Sequence, residues 1–170
     1  MDGCIVTRPS ELELPRIWRQ ADLPALRKHC GGQEIALASG CFDLIHKGHL
    51  HFLKEAARQG DVLVVGVNSD ESVRLLKGRS RPIICGRDRC AVLSEFACVN
   101  YVFEYGELCA GVSIHLLRPD VFVVGSDSVC RFPDEIDAAR VVGARVHEIT
   151  KIGLTSTTTI IDAVTQRGVD

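Results

Sequence analysis

A doubly wound α/β fold around a five-stranded parallel sheet is predicted by three features of the sequence. Short apolar runs at 35–38, 62–67, 101–103, 121–124 and 145–149 read as strands. Helix-like stretches at 47–59, 70–77, 87–98, 107–117 and 133–142 separate them, with a last one from Thr157 to 166. Strands apolar on both faces and divided by helices need a layer of helices on each side of a parallel sheet. In such a fold ligands bind beyond the carboxyl ends of the strands, where the strand order reverses.

Taken in order, residues 1–22 show little periodicity, hold Pro9 and Pro15, and read as an N-terminal arm. Trp18 is its one large anchor, suited to dock it on the body or on a partner. The remainder, 23–170, reads as a single domain. It opens with a short helix over 23–30 that has Pro24 in its first turn and is stopped by Gly31-Gly32. The stretch 35–60 follows, IALASGCFDLIHKGHLHFLKEAARQG, and the rest is organised around it. Its apolar strand breaks at Ser39-Gly40, and Leu50, Leu53 and Ala57 then recur at helical spacing. A strand, a glycine-containing turn and a helix start present unpaired N–H groups and a positive dipole end to an anion.

The totals bound the function. With 170 residues, 46% hydrophobic and 25% charged, the chain suits one ordinary globular domain. A formal net charge of -2 argues against a general nucleic-acid binder, although 20 Lys and Arg remain for a local basic pocket. No apolar stretch approaches the roughly 18 residues that cross a bilayer, and no signal-peptide core is visible, so a cytoplasmic protein without membrane contact is expected. The eight cysteines lack zinc spacing and read as small hydrophobes. Cys41 stands apart because it lies inside the glycine turn.

The sharpest signal is His46-Lys47-Gly48-His49. Two histidines three apart at a helix start share a face. Both can donate to phosphate oxygens, and Gly48 lets a ligand approach the backbone. Ser156 to Thr159 gives the last helix a hydroxyl-rich start, readable as a plain cap or as a second anion seat. Arg79 and Arg81 lie in a basic loop, KGRSR, that is either solvated or a lid over anionic substrates. His51, His115 and His147 read as structural or solvated.

Residues Ser39 to His49 resemble the signature of the nucleotidylyltransferase superfamily with the HIGH-type motif, whose fold is Rossmann-like. Within it the chain is most similar to the cytidylyltransferase-like group. That group includes glycerol-3-phosphate cytidylyltransferase and the heptose-1-phosphate adenylyltransferase domain. The resemblance extends to Val65–Asp70, Leu76-Lys77-Gly78, Arg81-Pro82, Arg89, Arg118-Pro119-Asp120-Val121 and Ser156–Ile161. It implies transfer of an NMP moiety from a nucleoside triphosphate to a small phosphorylated sugar or polyol, with release of pyrophosphate. ATP and a heptose 1-phosphate are the first choices, and CTP with a glycerol phosphate the alternative. A nucleotide-binding module without turnover is the rival from another class.

The same resemblance assigns catalysis to His46, His49, Lys77 and Arg89. It assigns nucleotide contacts to Gly40, Cys41, Phe42, Asp43, Gly48, Gly125, Asp127, Ser156, Thr157 and Thr158. Mg²⁺ would travel with the triphosphate and need no dedicated side chain, with Asp43 and Asp127 open as metal, ribose or base contacts. A homodimer is implied, as is a separate kinase that supplies the phosphorylated acceptor. Two departures stand out. Val124-Gly125-Ser126-Asp127-Ser128 lacks the lysine and aromatic of the heptose-phosphate enzymes, and Lys151 stands where the glycerol-phosphate enzymes carry arginine.

Overall fold

The computed structural model describes residues 16–126, 132–150 and 156–167. Asp127, Lys151 and the proline-containing start of the chain therefore lie outside the described residues. Six strands form one sheet: β1 (Ile17–Arg19), β2 (Ile35–Gly40), β3 (Val62–Asn68), β4 (Tyr101–Tyr105), β5 (Val121–Gly125) and β6 (Arg145–Ile149). Their order is β1-β4-β3-β2-β5-β6, and every pairing is parallel. The five expected strands are all present, and the sheet has one more than expected. The sixth is β1, three residues from the segment assigned to the arm, which runs beside β4 with Trp18 opposite Phe103.

Among the described residues seven α-helices accompany the strands: α1 (Leu23–His29), α2 (Lys47–Ala57), α3 (Asp70–Lys77), α4 (Gly86–Ser94), α5 (Gly111–Leu117), α6 (Pro133–Val142) and α7 (Thr157–Arg167). Successive side chains of a strand point to opposite faces, and the core divides accordingly. Ile35, Leu37, Val64, Phe103 and Phe122 face one cluster, with Leu26 of α1, Ile114 of α5 and Ala139 of α6. Ala36, Ala38, Val65, Val102 and Val123 face the other, with Leu53 of α2 and Leu93 of α4. Because both faces are covered, the four inner strands β2 to β5 carry apolar residues at most positions. That is why they stood out in the sequence.

The central strand β2 lies between β3 and β5, and the chain order reverses there. Asp120 fixes this junction. Its Oδ2 accepts the Ile35 N–H at 2.8 Å and the Arg27 guanidinium at 2.6 Å, while its own N–H donates to Ile35 O. The Arg118-Pro119-Asp120-Val121 segment thus sets the register of β5 on β2, and its acid is a structural pin. Gly66 on β3 serves packing in the same way. A Cβ there would lie 2.8 Å from the Phe103 ring and 3.2 Å from the Tyr105 ring, so only glycine lets both aromatics cross the strand.

Candidate active site

The turn after β2 is built around a residue in an uncommon conformation. Phe42 has φ 47°, a left-handed backbone that costs a bulky residue about 1–2 kcal/mol. Burial of its ring holds it there: the ring lies in the α2-side core, 5.4 Å from the His49 ring. A Cβ on Gly40 would come 3.2 Å from the Phe42 ring, so the glycine admits the turn. Asp43, almost fully buried, closes it from beneath. Its carboxylate accepts the Ile83 and Ile84 N–H groups at 2.8 and 2.9 Å and the Arg81 Nε at 2.6 Å. Burial pushes the Asp43 pKa up, but the two backbone N–H groups and Arg81 outweigh it and leave the carboxyl below its usual range.

Helix α2 starts on this turn, and His46 is its N-cap. The ring Nδ1 accepts the Gly48 N–H at 3.0 Å, which assigns the neutral ring's proton to Nε2 and makes that nitrogen a donor. The His49 ring stacks on it, with centroids 3.9 Å apart and planes 28° from parallel. Helix α7 begins against the same turn. Ser156 Oγ accepts the Thr159 N–H while Thr159 Oγ1 accepts the Ser156 N–H, a reciprocal cap. Thr157 Oγ1 donates to Leu44 O at 3.3 Å and ties that cap to the loop before His46. Two positive helix ends therefore meet at one place.

A cleft of about 590 Å³ opens above these groups. His46, Gly48, His49, Lys77, Ser156 and Thr157 line it, and so do Gly40, Cys41, Phe42, Asp43, Gly125 and Thr158. Lys77 ends α3, where Gly78 takes φ 98° and donates to Arg74 O, so the helix stops with its ammonium on the cleft wall. Cys41 is chemically quiet. Burial pushes its thiol pKa up, against the opposing charges of Lys77, Arg89 and Arg81.

Arg89 stands elsewhere. It is fully buried, and its guanidinium donates to Ile84 O at 2.9 Å, Cys41 O at 2.5 Å and Asp70 Oδ1 at 2.7 Å. It does not line the cleft; it braces the glycine turn from behind. The resemblance assigns it to catalysis; the structure shows it buried, with its donors on Ile84 O, Cys41 O and Asp70. Asp43 likewise commits its oxygens to the 81–84 loop, which leaves a metal or ribose contact without a carboxylate there. Among the described residues no group of three or more His, Cys, Asp or Glu side chains can hold a metal ion.

The cleft wall also carries residues to which the sequence reading gave no role. Asn68 donates to Ser72 Oγ at 2.9 Å and to Glu107 O at 3.3 Å, which holds the 106–110 loop. Tyr105 hydrogen-bonds Ser39, and burial raises its phenol pKa well above the usual range. Glu135 of α6 and Leu108 complete the wall. Asn68 had a signal in the Val65–Asp70 segment. Glu135 had none, because it sits in an ordinary-looking helix start.

Comparison with known proteins agrees with this geometry. A family model described as cytidylyltransferase-like matches residues 37–162. The chain is 45% identical over 136 residues to the bifunctional protein HldE of Hydrogenovibrio crunogenus, covering 78% of this chain and 28% of that one. It is 40% identical over 136 residues to HldE of Syntrophotalea carbinolica, covering 80% and 28%. The chain thus spans a little over a quarter of the length of these relatives. Among solved structures it resembles the lipopolysaccharide core biosynthesis protein of Thermoplasma volcanium, with a TM-score of 0.60 and 28% identity, covering 73% of this chain and all of that one. Pantoate-beta-alanine ligase of Francisella tularensis, at 12% identity and a TM-score of 0.61 over 86% of this chain and 76% of its own, shares the fold. With a family match over most of its length and a histidine-lined cleft where the strand order reverses, the chain belongs to the cytidylyltransferase-like family of nucleotidyltransferases.

Proposed function

We propose that the chain transfers the NMP moiety of a nucleoside triphosphate, ATP before CTP, to the phosphate of a small phosphorylated sugar or polyol, with a heptose 1-phosphate the leading acceptor. The observation that carries this reading is the meeting of two helix N-termini, a stacked histidine pair and Lys77 at one cleft. An acceptor phosphate oxygen attacks the α-phosphorus in line. The new P–O bond forms as the bond to the bridging oxygen breaks, and pyrophosphate leaves with the electron pair. No covalent enzyme intermediate is required, so the residues act by positioning and charge stabilisation.

His46 Nε2–H and His49 stabilise the α-phosphate as negative charge grows on it and on the departing pyrophosphate. The α7 cap holds the β- and γ-phosphates, and Lys77 spans the triphosphate and the acceptor phosphate. Mg²⁺ carried by the triphosphate would supply charge neutralisation there, with no dedicated side-chain cluster among the described residues to hold it. The likeness of the central motifs to the heptose-phosphate enzymes supports a sugar acceptor with ATP, while the cytidylyltransferase-like family description keeps CTP as the second reading. A cytoplasmic homodimer completes the proposal, and light scattering reads the dimer. The experiment is a thermal-shift panel of ATP, CTP, GTP and UTP with Mg²⁺, followed by pyrophosphate release with candidate acceptors. One triphosphate should raise the melting temperature most and should turn over with a sugar phosphate. Equal responses to all four and no pyrophosphate would reject the reading.

A further inference from the structure

Glu135 is a buried carboxylate of which the fold uses only one oxygen. It is 5% exposed, lines the cleft, and lies in the first turn of α6. Its Oε1 accepts the Ala110 N–H at 2.6 Å, which anchors the side chain on the loop before α5. Among the described residues that is its side chain's one hydrogen bond, and no basic side chain pairs with it. A carboxylate has two oxygens and about four acceptor positions, so Oε2 retains acceptor capacity. Oε2 is not shut away from solvent, so a donor on a ligand in the cleft can take the place of water there.

Its position relative to the phosphate groups points to the donor. Helix α6 packs on the face of the sheet that holds Phe103 and Phe122, whereas α2 with its histidines packs on the opposite face. The cleft crosses the strand ends between them. A ligand that reaches across the cleft from His46 and His49 meets the α6 side, where Glu135 lies. The wall there is mixed in character. Tyr105 and Ser39 bring hydroxyls, Asn68 an amide, and Leu108 and Phe132 apolar surface. A sugar matches all three, since its hydroxyls both donate and accept and its C–H face is apolar. An ammonium group would only donate and would bring no apolar face to Leu108 and Phe132.

We propose that Glu135 selects the acceptor, its Oε2 accepting a hydrogen bond from a hydroxyl on the end of a polyol remote from its phosphate. This rests on the reading of the cleft as a nucleotidyl-transfer site and adds which side chain reads the acceptor. Glu135→Gln is the discriminating variant. Its carbonyl oxygen keeps the Ala110 bond while its NH₂ replaces the second acceptor oxygen by a donor.

The test measures binding of a heptose 1-phosphate, of its singly deoxygenated analogues and of phosphoethanolamine by calorimetry, with a non-hydrolysable triphosphate present. KM and kcat are measured beside it. The variant should bind the sugar phosphate about ten- to a hundredfold more weakly, with nucleotide affinity unchanged. One deoxygenated analogue should show the same loss on the wild-type protein and no further loss on the variant. Circular dichroism confirms that the variant is folded, and Glu135→Asp provides a second carboxylate variant whose binding should recover in part. Equal weakening of nucleotide and acceptor would overturn the proposal. So would additive losses from variant and analogue, stronger binding of phosphoethanolamine, or no binding of any polyol phosphate. Binding that depends on Glu135 without pyrophosphate release would reject the transfer reading and leave this assignment standing.

Discussion

At the scale of single residues the site divides into groups that face the cleft and groups that hold them there. His49 belongs to the first. His49→Ala should lower kcat by about 10²–10³-fold while the thermal shift caused by nucleotide changes little, because its bond strengthens as charge develops. Comparable losses in both quantities would make it a ground-state contact. Asp43 belongs to the second, as the clamp between the glycine turn and the 81–84 loop. Asp43→Asn should destabilise the protein by about 3 kcal/mol at neutral pH, since it leaves Arg81 without its buried partner. The sign of the pH dependence follows from its lowered pKa. The folded state holds the charged form more tightly than the unfolded chain does, so the contribution is complete above the ordinary value of 3.8. It is lost as pH falls through the folded value. Melting curves of wild type and variant should converge in acid, and a gap that widened there would contradict the clamp.

The residue scale also shows what the sequence could carry. His46, His49 and Lys77 were legible because a motif places them at helix ends, and a helix end has a known direction. Arg89 was legible as important and not as buried. A single arginine in an amphipathic helix gives no sign of which side it faces until α4 packs against β3 and β4. Glu135 was invisible for the opposite reason, since its burial arises from the packing of α6 on α5 and not from its neighbours in sequence.

At the scale of elements, strands were legible where both faces are buried, and their ends were not. Strands β2, β3, β4 and β5 each run one or two residues beyond their apolar runs, to Gly40, Asn68, Tyr105 and Gly125. Backbone ladders continue past the apolar runs, and all of those extra residues except Glu104 line the cleft. Strand β1 escaped notice because three residues on a sheet edge, with one partner strand, carry no periodic pattern. Helix α5 begins at Gly111, four residues later than the pattern over 107–117 suggests. Glu107 O is occupied by Asn68 and Ser72, and the intervening loop lines the cleft instead. Gly66→Ala tests the packing of β3 under the two aromatics. It should cost about 1–3 kcal/mol in denaturant unfolding, because the added methyl meets the Phe103 ring. A neutral change would show that the rings move freely.

For the whole molecule, the fold supplies a site that its overall charge does not advertise. The formal net charge is -2, yet the positive helix ends, Lys77 and the histidine pair gather at one edge of the sheet. Among the described residues no helix is long and apolar enough to cross a membrane. The central claim is that this edge breaks a phosphoanhydride at the α-phosphorus, and isotope position reads that claim most directly. ATP labelled at the α- or the γ-phosphorus is incubated with Mg²⁺, a heptose 1-phosphate and the protein. The account predicts that the α-label enters the acceptor product and the γ-label leaves as pyrophosphate. Transfer of the γ-label to the acceptor, or tight binding of ATP with neither label moved, would contradict it.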